Sequence, residues 1–245
     1  MFSTLCYWFL CFMLYSFIGY LTEITCCSIN NKKLVMNRGF CLGPYLPIYG
    51  SSCVIMNLFL AKYSNDLITL FVMSAFVCTL MEYMTSLILE KIFHARWWDY
   101  TEKKFNLSGR VCLENSCLFG LGGVVIVSII HPFVEGLIKS MPDKVMMIVA
   151  IVLFVIFMID VVITVTTMCQ VKIASMKFTA KDATEEISKR VRGEIIKNKG
   201  LMLHMLNAFP KIKLSNHDPL GRIKKTLAKQ KEEYKKKKEK SKRKK

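Results

Sequence analysis

The run VMMIVAIVLFVIFMIDVVITVTTMCQ, residues 145–170, decides the fold of this 245-residue chain. It holds a single charged side chain, Asp160, among mostly apolar residues. A helix needs about 20 mostly apolar residues to cross a hydrocarbon core of about 30 Å. The run is longer than the core of a water-soluble domain requires, so it predicts a membrane-spanning helix.

Four other stretches extend this pattern. Residues 2–25, 67–90 and 117–138 are long apolar runs, and residues 45–61 form a shorter one that contains Pro47 and Gly50. We therefore predict an all-α fold, a polytopic membrane helix bundle of about five transmembrane segments. No basic region precedes the first run and no small-residue cleavage site follows it, so we expect a retained segment and not a signal peptide.

Charge divides the chain into two parts. Residues 1–171 carry 11 Lys and Arg against 10 Asp and Glu, and residues 172–245 carry 24 against 8. This difference predicts a transmembrane domain over 1–171 and a basic cytoplasmic tail over 172–245. We expect the tail to be partly helical, and to be disordered at 235–245, where nine Lys and Arg repel one another.

The same basic residues predict orientation, because Lys and Arg concentrate in cytoplasmic loops. They cluster in the loops after the first and third segments, whereas the other face holds only Lys62, Lys139 and Lys144. We expect a multi-pass protein of the cell membrane with its N-terminus outside and its C-terminus in the cytoplasm. The expected partner of the tail is the anionic inner leaflet. Nucleic acid is the rival polyanion, but the tail lacks interleaved aromatic residues for base stacking, which disfavours it.

Polar side chains recur at helical spacing within four of the apolar runs. Ionisable groups at membrane depth usually face a bundle interior or a wet cavity. Interhelical hydrogen bonding accounts for most of the Ser and Thr residues. For Glu82 and Asp160, a functional role and structural pairing both stay open. The stripes are Ser16, Tyr20 and Glu23; Thr79, Glu82, Ser86 and Glu90; Ser128, His131 and Glu135; and Asp160, Thr164 and Thr167.

The loop before the short run is rich in Gly and Pro, and it reads NRGFCLGPYLPIYG over residues 37–50. A helix from Pro47 to Ala61 has about 15 residues and a length of roughly 22 Å, which is short for a span. Its N-terminus is then expected inside protein, below the cytoplasmic interface. A helix N-terminus carries partial positive charge, so with Arg38 nearby it suggests a pocket for an anion.

A second loop, residues 90–114, combines Arg, acidic and aromatic residues on the same predicted side. The aromatic residues alone fit an interfacial belt. Arg provides a planar fork for phosphate or carboxylate, so we predict a pocket where the two loops meet, with Glu23 and Glu90 orienting the Arg residues. The ten cysteines lack zinc-type spacing, and we predict no metal site, no cofactor and no catalytic residue. The candidate ligand-binding residues are Glu23, Asn37, Arg38, Glu90, His94, Arg96, Asp99, Asn106, Arg110 and Glu114.

Four motifs carry a family resemblance: SxxGYxxE at 16–23, NRGFxxGPxxPIYG at 37–50, LExxFHxRxWDY at 89–100 and FNxxGRxCL at 105–113. Over residues 1–171 the chain resembles the ABC-transporter type IV family, also called CmpB-like. The resemblance implies a membrane-embedded transporter permease. No P-loop occurs in the chain, so an energised role would need a separate ATPase subunit.

Three functions follow from these patterns. The first is a permease with a cytoplasmic-side polar pocket for an anionic or lipid-headgroup ligand. The alternative is a membrane-embedded enzyme acting on a phosphorylated or lipid-linked substrate, which we rank second because no nucleophile motif or metal triad is present. The third is a structural or regulatory membrane subunit. Five helices make a small bundle, so we also expect a homo-oligomer or a partner subunit.

Overall fold

The computed structural model describes residues 1–32, 39–93, 95–179 and 213–214. Helices dominate this part of the chain, and one 3₁₀ turn (Ala61–Tyr63) follows the second of them. A π-helical turn (Ile126–Ile130) joins the fourth helix to the fifth, so that the two form one rod. The helices are α1 (Phe2–Asn31), α2 (Pro47–Leu60), α3 (Leu67–Phe93), α4 (Leu113–Val125), α5 (His131–Lys139) and α6 (Asp143–Thr179).

The described residues include four two-residue strands, three in the loop after α3 and one in the tail, which the sequence analysis did not predict. They are β1 (Ala95–Arg96), β2 (Asn106–Leu107), β3 (Val111–Cys112) and β4 (Lys213–Leu214). Strands β2 and β3 form an antiparallel hairpin, and β1 pairs antiparallel with β4, so one point of the basic tail lies against the loop that follows α3.

Within the described residues, four helical rods are long and apolar enough to cross a membrane: Phe2–Ile29, Leu67–Phe93, Leu113–Lys139 and Asp143–Gln170. The chain is therefore a multi-pass membrane protein built mainly of helices. The rods are longer than the predicted runs, and α6 continues past the predicted domain boundary at 171. The predicted helical parts of the tail beyond Thr179 and the predicted disorder at 235–245 lie outside the described residues.

Helix α2 has 14 residues and is too short to count among these spans. It begins beside the middle of α1, where the backbone N–H of Leu46 donates to the carbonyl oxygen of Ser16 at 3.0 Å. Ser16 lies roughly 21 Å along α1 at 1.5 Å per residue. The helix then packs closely on α1, because a Cβ at Gly50 would collide with the backbone of Phe12. The predicted truncated helix with a buried start is therefore present.

The non-helical segment 39–46 fills the space before α2 and is largely buried. Cys41 is 2% exposed, and Tyr45 and Leu46 are buried as well. Irregular backbone at membrane depth is tolerated where protein covers it. The segment therefore belongs to the packed interior and is not a surface connection.

Candidate functional site

Two guanidinium groups converge on one carboxylate at the end of α3. Arg110 Nη2 lies 2.7 Å from Glu90 Oε2, and Arg96 Nε lies 3.5 Å from the same oxygen. Asp99 Oδ1 is 3.8 Å from Arg96 Nη1. All four side chains are at least partly shielded from solvent, so their attraction is screened less than that of a surface pair. We call these four residues the Glu90 cluster.

Arg110 has unused binding capacity within this cluster. Its Nε atom is buried and has no hydrogen-bond partner among the described residues. Its guanidinium lies over the ring of Tyr83, with 5.6 Å to the ring centroid. A guanidinium has five N–H donors and no acceptor, so an additional anion is the kind of group that would complete it.

A tight hairpin turn places Arg110 in the cluster. Ser108 and Gly109 both have positive φ, +54° and +65°, and Arg110 N–H donates to the carbonyl of Leu107 at 3.0 Å. Positive φ at both central residues is typical of a type I′ turn. A side chain at Gly109 would also collide with Thr101, so glycine is required there for two reasons.

Asn106 and Trp98 hold the same loop together. Asn106 Nδ2 donates to the carbonyl of Lys103 at 2.7 Å, and Asn106 Oδ1 accepts from Gly109 N–H at 3.0 Å. Trp98 Nε1 donates to the carbonyl of Arg110 at 2.9 Å. These contacts show that Asn106 organises the loop.

The two loops meet through aromatic rings. Phe40 packs against Phe93 and Trp97, with ring centroids 6.1 Å apart in both pairs, and Trp97 stacks on Phe93. Trp97 is buried inside the protein, which differs from the interfacial-belt interpretation. Phe40 of the first loop thus packs on Trp97 of the second, and the predicted polar pocket between the two loops stays a prediction.

A second polar centre lies on α6, where Asp160 binds the segment before α2. The carboxylate accepts from Leu42 N–H at 3.0 Å, from Gly43 N–H at 2.8 Å and from the hydroxyl of Tyr45. Thr164 Oγ1 donates to it at 3.0 Å. Each carboxylate oxygen thus has two donors, and for Asp160 structural pairing is the role that the contacts support.

The third centre contains Glu82, which is 7% exposed. Tyr100 donates to Glu82 Oε1 at 3.2 Å, whereas Oε2 is buried and has no hydrogen-bond partner among the described residues. Nearby, the hydroxyl of Tyr49 lies 3.4 Å from Glu23 Oε2. Buried acceptors are normally satisfied, so the unpaired oxygen of Glu82 needs an explanation.

Burial changes the acidity of one group in the loop after α3. It raises the pKa of Tyr100, with Glu82 contributing in the same direction. Tyr100 is therefore neutral at physiological pH and is available as a hydrogen-bond donor.

The structure brings together four of the predicted site residues: Glu90, Arg96, Asp99 and Arg110. Glu23 lies apart from them beside Tyr49, and Glu114 forms an exposed ion pair with Lys103. Asn37, Arg38 and His94 lie outside the described residues, so the expected contribution of Arg38 stays a prediction.

Sequence reasoning did not assign Tyr45, Tyr49 or Tyr100 to any site. Their signal was weak because tyrosine is common at membrane interfaces. The backbone N–H groups of Leu42 and Gly43 carry no sequence signal at all. Within the described residues, no group of three or more His, Cys, Asp or Glu side chains could hold a metal ion.

Comparison with known proteins gives one clear result. The family described as "Putative ABC-transporter type IV" matches residues 10–165, which is more than half of the chain and includes all three polar centres. No curated protein and no solved structure matches the chain. By its sequence, therefore, this multi-pass helical membrane protein belongs to the ABC-transporter type IV family.

Proposed function

We propose that the protein is the permease subunit of a transporter and that the Glu90 cluster binds an anionic group, a phosphate or carboxylate of a lipid headgroup or small solute. The observation that carries the proposal is the convergence of Arg96 and Arg110 on one oxygen of Glu90. Two guanidinium groups at this spacing suit an oxyanion, which can accept several charge-assisted hydrogen bonds.

In this proposal, Glu90 binds the two Arg side chains when no ligand is present. The ligand then either displaces Glu90 from them or binds beside it. The cluster is neutral overall, because two Arg balance Glu90 and Asp99. It is therefore stable when empty and becomes anionic when an anion enters. Removing the charge of Glu90 should raise the affinity for an anion, whereas a purely structural cluster would only lose its ion pairs.

The test is native mass spectrometry of the protein purified in mild detergent, with phosphatidylglycerol or inorganic phosphate added as separate probes. We expect Arg110→Gln to weaken binding of one of them at least tenfold, about 1.4 kcal/mol. Glu90→Gln should strengthen it. The two probes distinguish a lipid headgroup from a free anion.

Lys103→Gln is the matched control, because it removes a basic residue of the same loop from an exposed ion pair with Glu114. It should leave binding unchanged. The proposal is overturned if neither probe binds, or if Arg110→Gln and Lys103→Gln weaken binding equally.

Topology completes the proposal. We infer that α2 is a fifth, short crossing which reaches the cytoplasmic side through the buried segment 39–46. Five crossings would put the two termini on opposite sides of the membrane, and the distribution of Lys and Arg favours an N-terminus outside and the Glu90 cluster and tail in the cytoplasm. Accessibility of an introduced cysteine at Ser3 and of one at Lys104 to an impermeant reagent tests this: only the first should react in intact cells.

Two partners follow from this topology. The family name supports a separate ATPase subunit, which would bind from the cytoplasm and would copurify with the chain. The basic tail should bind anionic inner-leaflet lipids. Cleavage of the tail should lower affinity for anionic liposomes in a salt-dependent manner, and an unchanged affinity would contradict this part.

A further inference from the structure

We propose that Glu82, with the hydroxyls of Tyr100 and Tyr49, forms a buried site for a single small cation, either a proton or an alkali-metal ion such as Na⁺. The site lies in the interior of the bundle and shares no residue with the Glu90 cluster. It does not depend on anion binding there.

The unpaired oxygen of Glu82 is the first observation. More than nine-tenths of Glu82 is buried, its Oε2 atom has no hydrogen-bond partner in the described part of the chain, and it takes part in no ion pair there. An isolated buried carboxylate is costly by several kcal/mol. A cation removes that cost, because it neutralises the charge and occupies the free oxygen.

The second observation is that two phenol hydroxyls come from other parts of the chain. The loop after α3 provides Tyr100, whose hydroxyl is 3.2 Å from Glu82 Oε1. Helix α2 provides Tyr49, whose hydroxyl lies 3.4 Å from Glu23 Oε2 of α1 and whose ring is close enough to Glu82 for an electrostatic interaction. The proposed site is thus formed by the Glu82 carboxylate and the two hydroxyls, with Glu23 on the far side of Tyr49.

The other ionisable groups around this site are thiols, or they are charged groups that lie in different ion pairs. Cys78 is on the same helix one turn earlier, Cys26 of α1 is near Tyr49, and Cys112 of β3 is near Tyr100. The nearest described guanidinium groups, those of Arg96 and Arg110, pair with Glu90. A small cation would therefore complement a locally acidic site without displacing a described ion pair.

Infrared difference spectroscopy of the reconstituted protein tests the site in two arms. In one arm, Na⁺ replaces choline at fixed pH, and in the other the pH is stepped without Na⁺. A Na⁺ site gives a shift of one carboxylate band in the first arm. A proton site gives the carbonyl band of one protonated carboxylic acid in the second.

Either signal should disappear in Glu82→Gln and persist in Glu135→Gln. Glu135 is the matched control because it is a membrane-domain carboxylate in an exposed pair with Lys139. The proposal is overturned if the spectra of wild type and Glu82→Gln are the same in both arms. Tyr100→Phe is a second variant, which tests the site even if Glu82→Gln does not fold. It should shift the Na⁺ concentration or the pH at which half of the infrared signal appears, and an unshifted midpoint also contradicts the site.

Discussion

Asp160 and Glu82 are both buried inside the membrane domain, but their surroundings differ. The difference distinguishes a carboxylate that stabilises the fold from one that is a candidate for ligand binding. Asp160 accepts four hydrogen bonds, three from segment 39–46 and one from Thr164 of its own helix. Glu82 accepts one from Tyr100, and its other oxygen is unpaired among the described residues. Both are buried to a similar degree, 8% and 7% exposed, so burial alone does not distinguish them.

The difference teaches what each carboxylate does for the fold. Asp160 holds the irregular segment 39–46 in place and satisfies backbone N–H groups that would otherwise be orphaned inside the bundle. Among the described residues, Glu82 accepts no hydrogen bond from a backbone group and so holds no segment in place in this way. A residue that costs free energy to bury without stabilising the fold is a candidate for ligand binding.

The largest effect should come from Asp160→Ala. This change leaves Leu42 N–H, Gly43 N–H and the Tyr45 hydroxyl without their acceptor in a buried place. Each buried donor left without an acceptor costs about 1–3 kcal/mol, so we expect the free energy of unfolding to fall by at least about 3 kcal/mol. Denaturant titration in detergent measures it, with Thr166→Ala on the exposed face of α6 as control. A loss below about 1 kcal/mol would contradict the anchoring role.

Tyr45→Phe should have the next largest effect. It removes one donor from the Asp160 carboxylate and keeps the aromatic packing against Phe157. A hydrogen bond to a charged group contributes about 1.5–3 kcal/mol, so the free energy of unfolding should fall by about that amount. The matched change is Tyr100→Phe, which removes the hydroxyl bonded to Glu82. It should cost less, and equal losses would remove the distinction between the two acids.

Hydrophobic pattern was sufficient to predict the helices and the short α2. The apolar runs exceed any soluble core, and Pro47 and Gly50 indicated where a regular helix begins. The runs underestimated helix length, because α1 and α6 continue into polar sequence beyond the hydrocarbon core. Four-residue spacing also placed Glu82 and Asp160 on inward faces correctly.

The sites were only partly predictable, for a physical reason. Arg96, Arg110, Asp99 and Glu90 were predicted to lie together because Arg provides a fork for an anion and Glu90 was expected to orient the Arg residues, and the four side chains do form ion pairs. The partners of Asp160 are mostly backbone groups more than 100 residues away, and such groups have no residue-type signal. Similarly, only the three-dimensional structure reveals that one oxygen of Glu82 has no hydrogen-bond partner among the described residues and that both oxygens of Asp160 accept hydrogen bonds.

A smaller effect is expected at Cys41, which reports on the segment that Asp160 anchors. Its burial, at 2% exposed, keeps the thiol away from a reagent in solution, and the reagent needs access to the thiolate form. We expect maleimide labelling of Cys41 to be slow in wild type and to rise at least tenfold in Asp160→Asn. Peptide mapping separates it from exposed Cys117 and Cys169. Glu82→Gln is the control, and faster labelling there would show that either acid anchors the segment.

Glu82→Gln should have the smallest effect on the free energy of unfolding. The sign of that effect is the most direct test of the comparison between the two acids. The amide keeps an acceptor for the Tyr100 hydroxyl and removes a charge that the described surroundings do not compensate. Because no backbone group loses a partner, the free energy of unfolding should stay within about 1 kcal/mol of wild type or increase. Asp160→Asn, the same chemical change at the bonded acid, should decrease it in the same titration. If Glu82→Gln is the more destabilising of the two, Glu82 is the structural acid and the assignment of the two roles must be reversed.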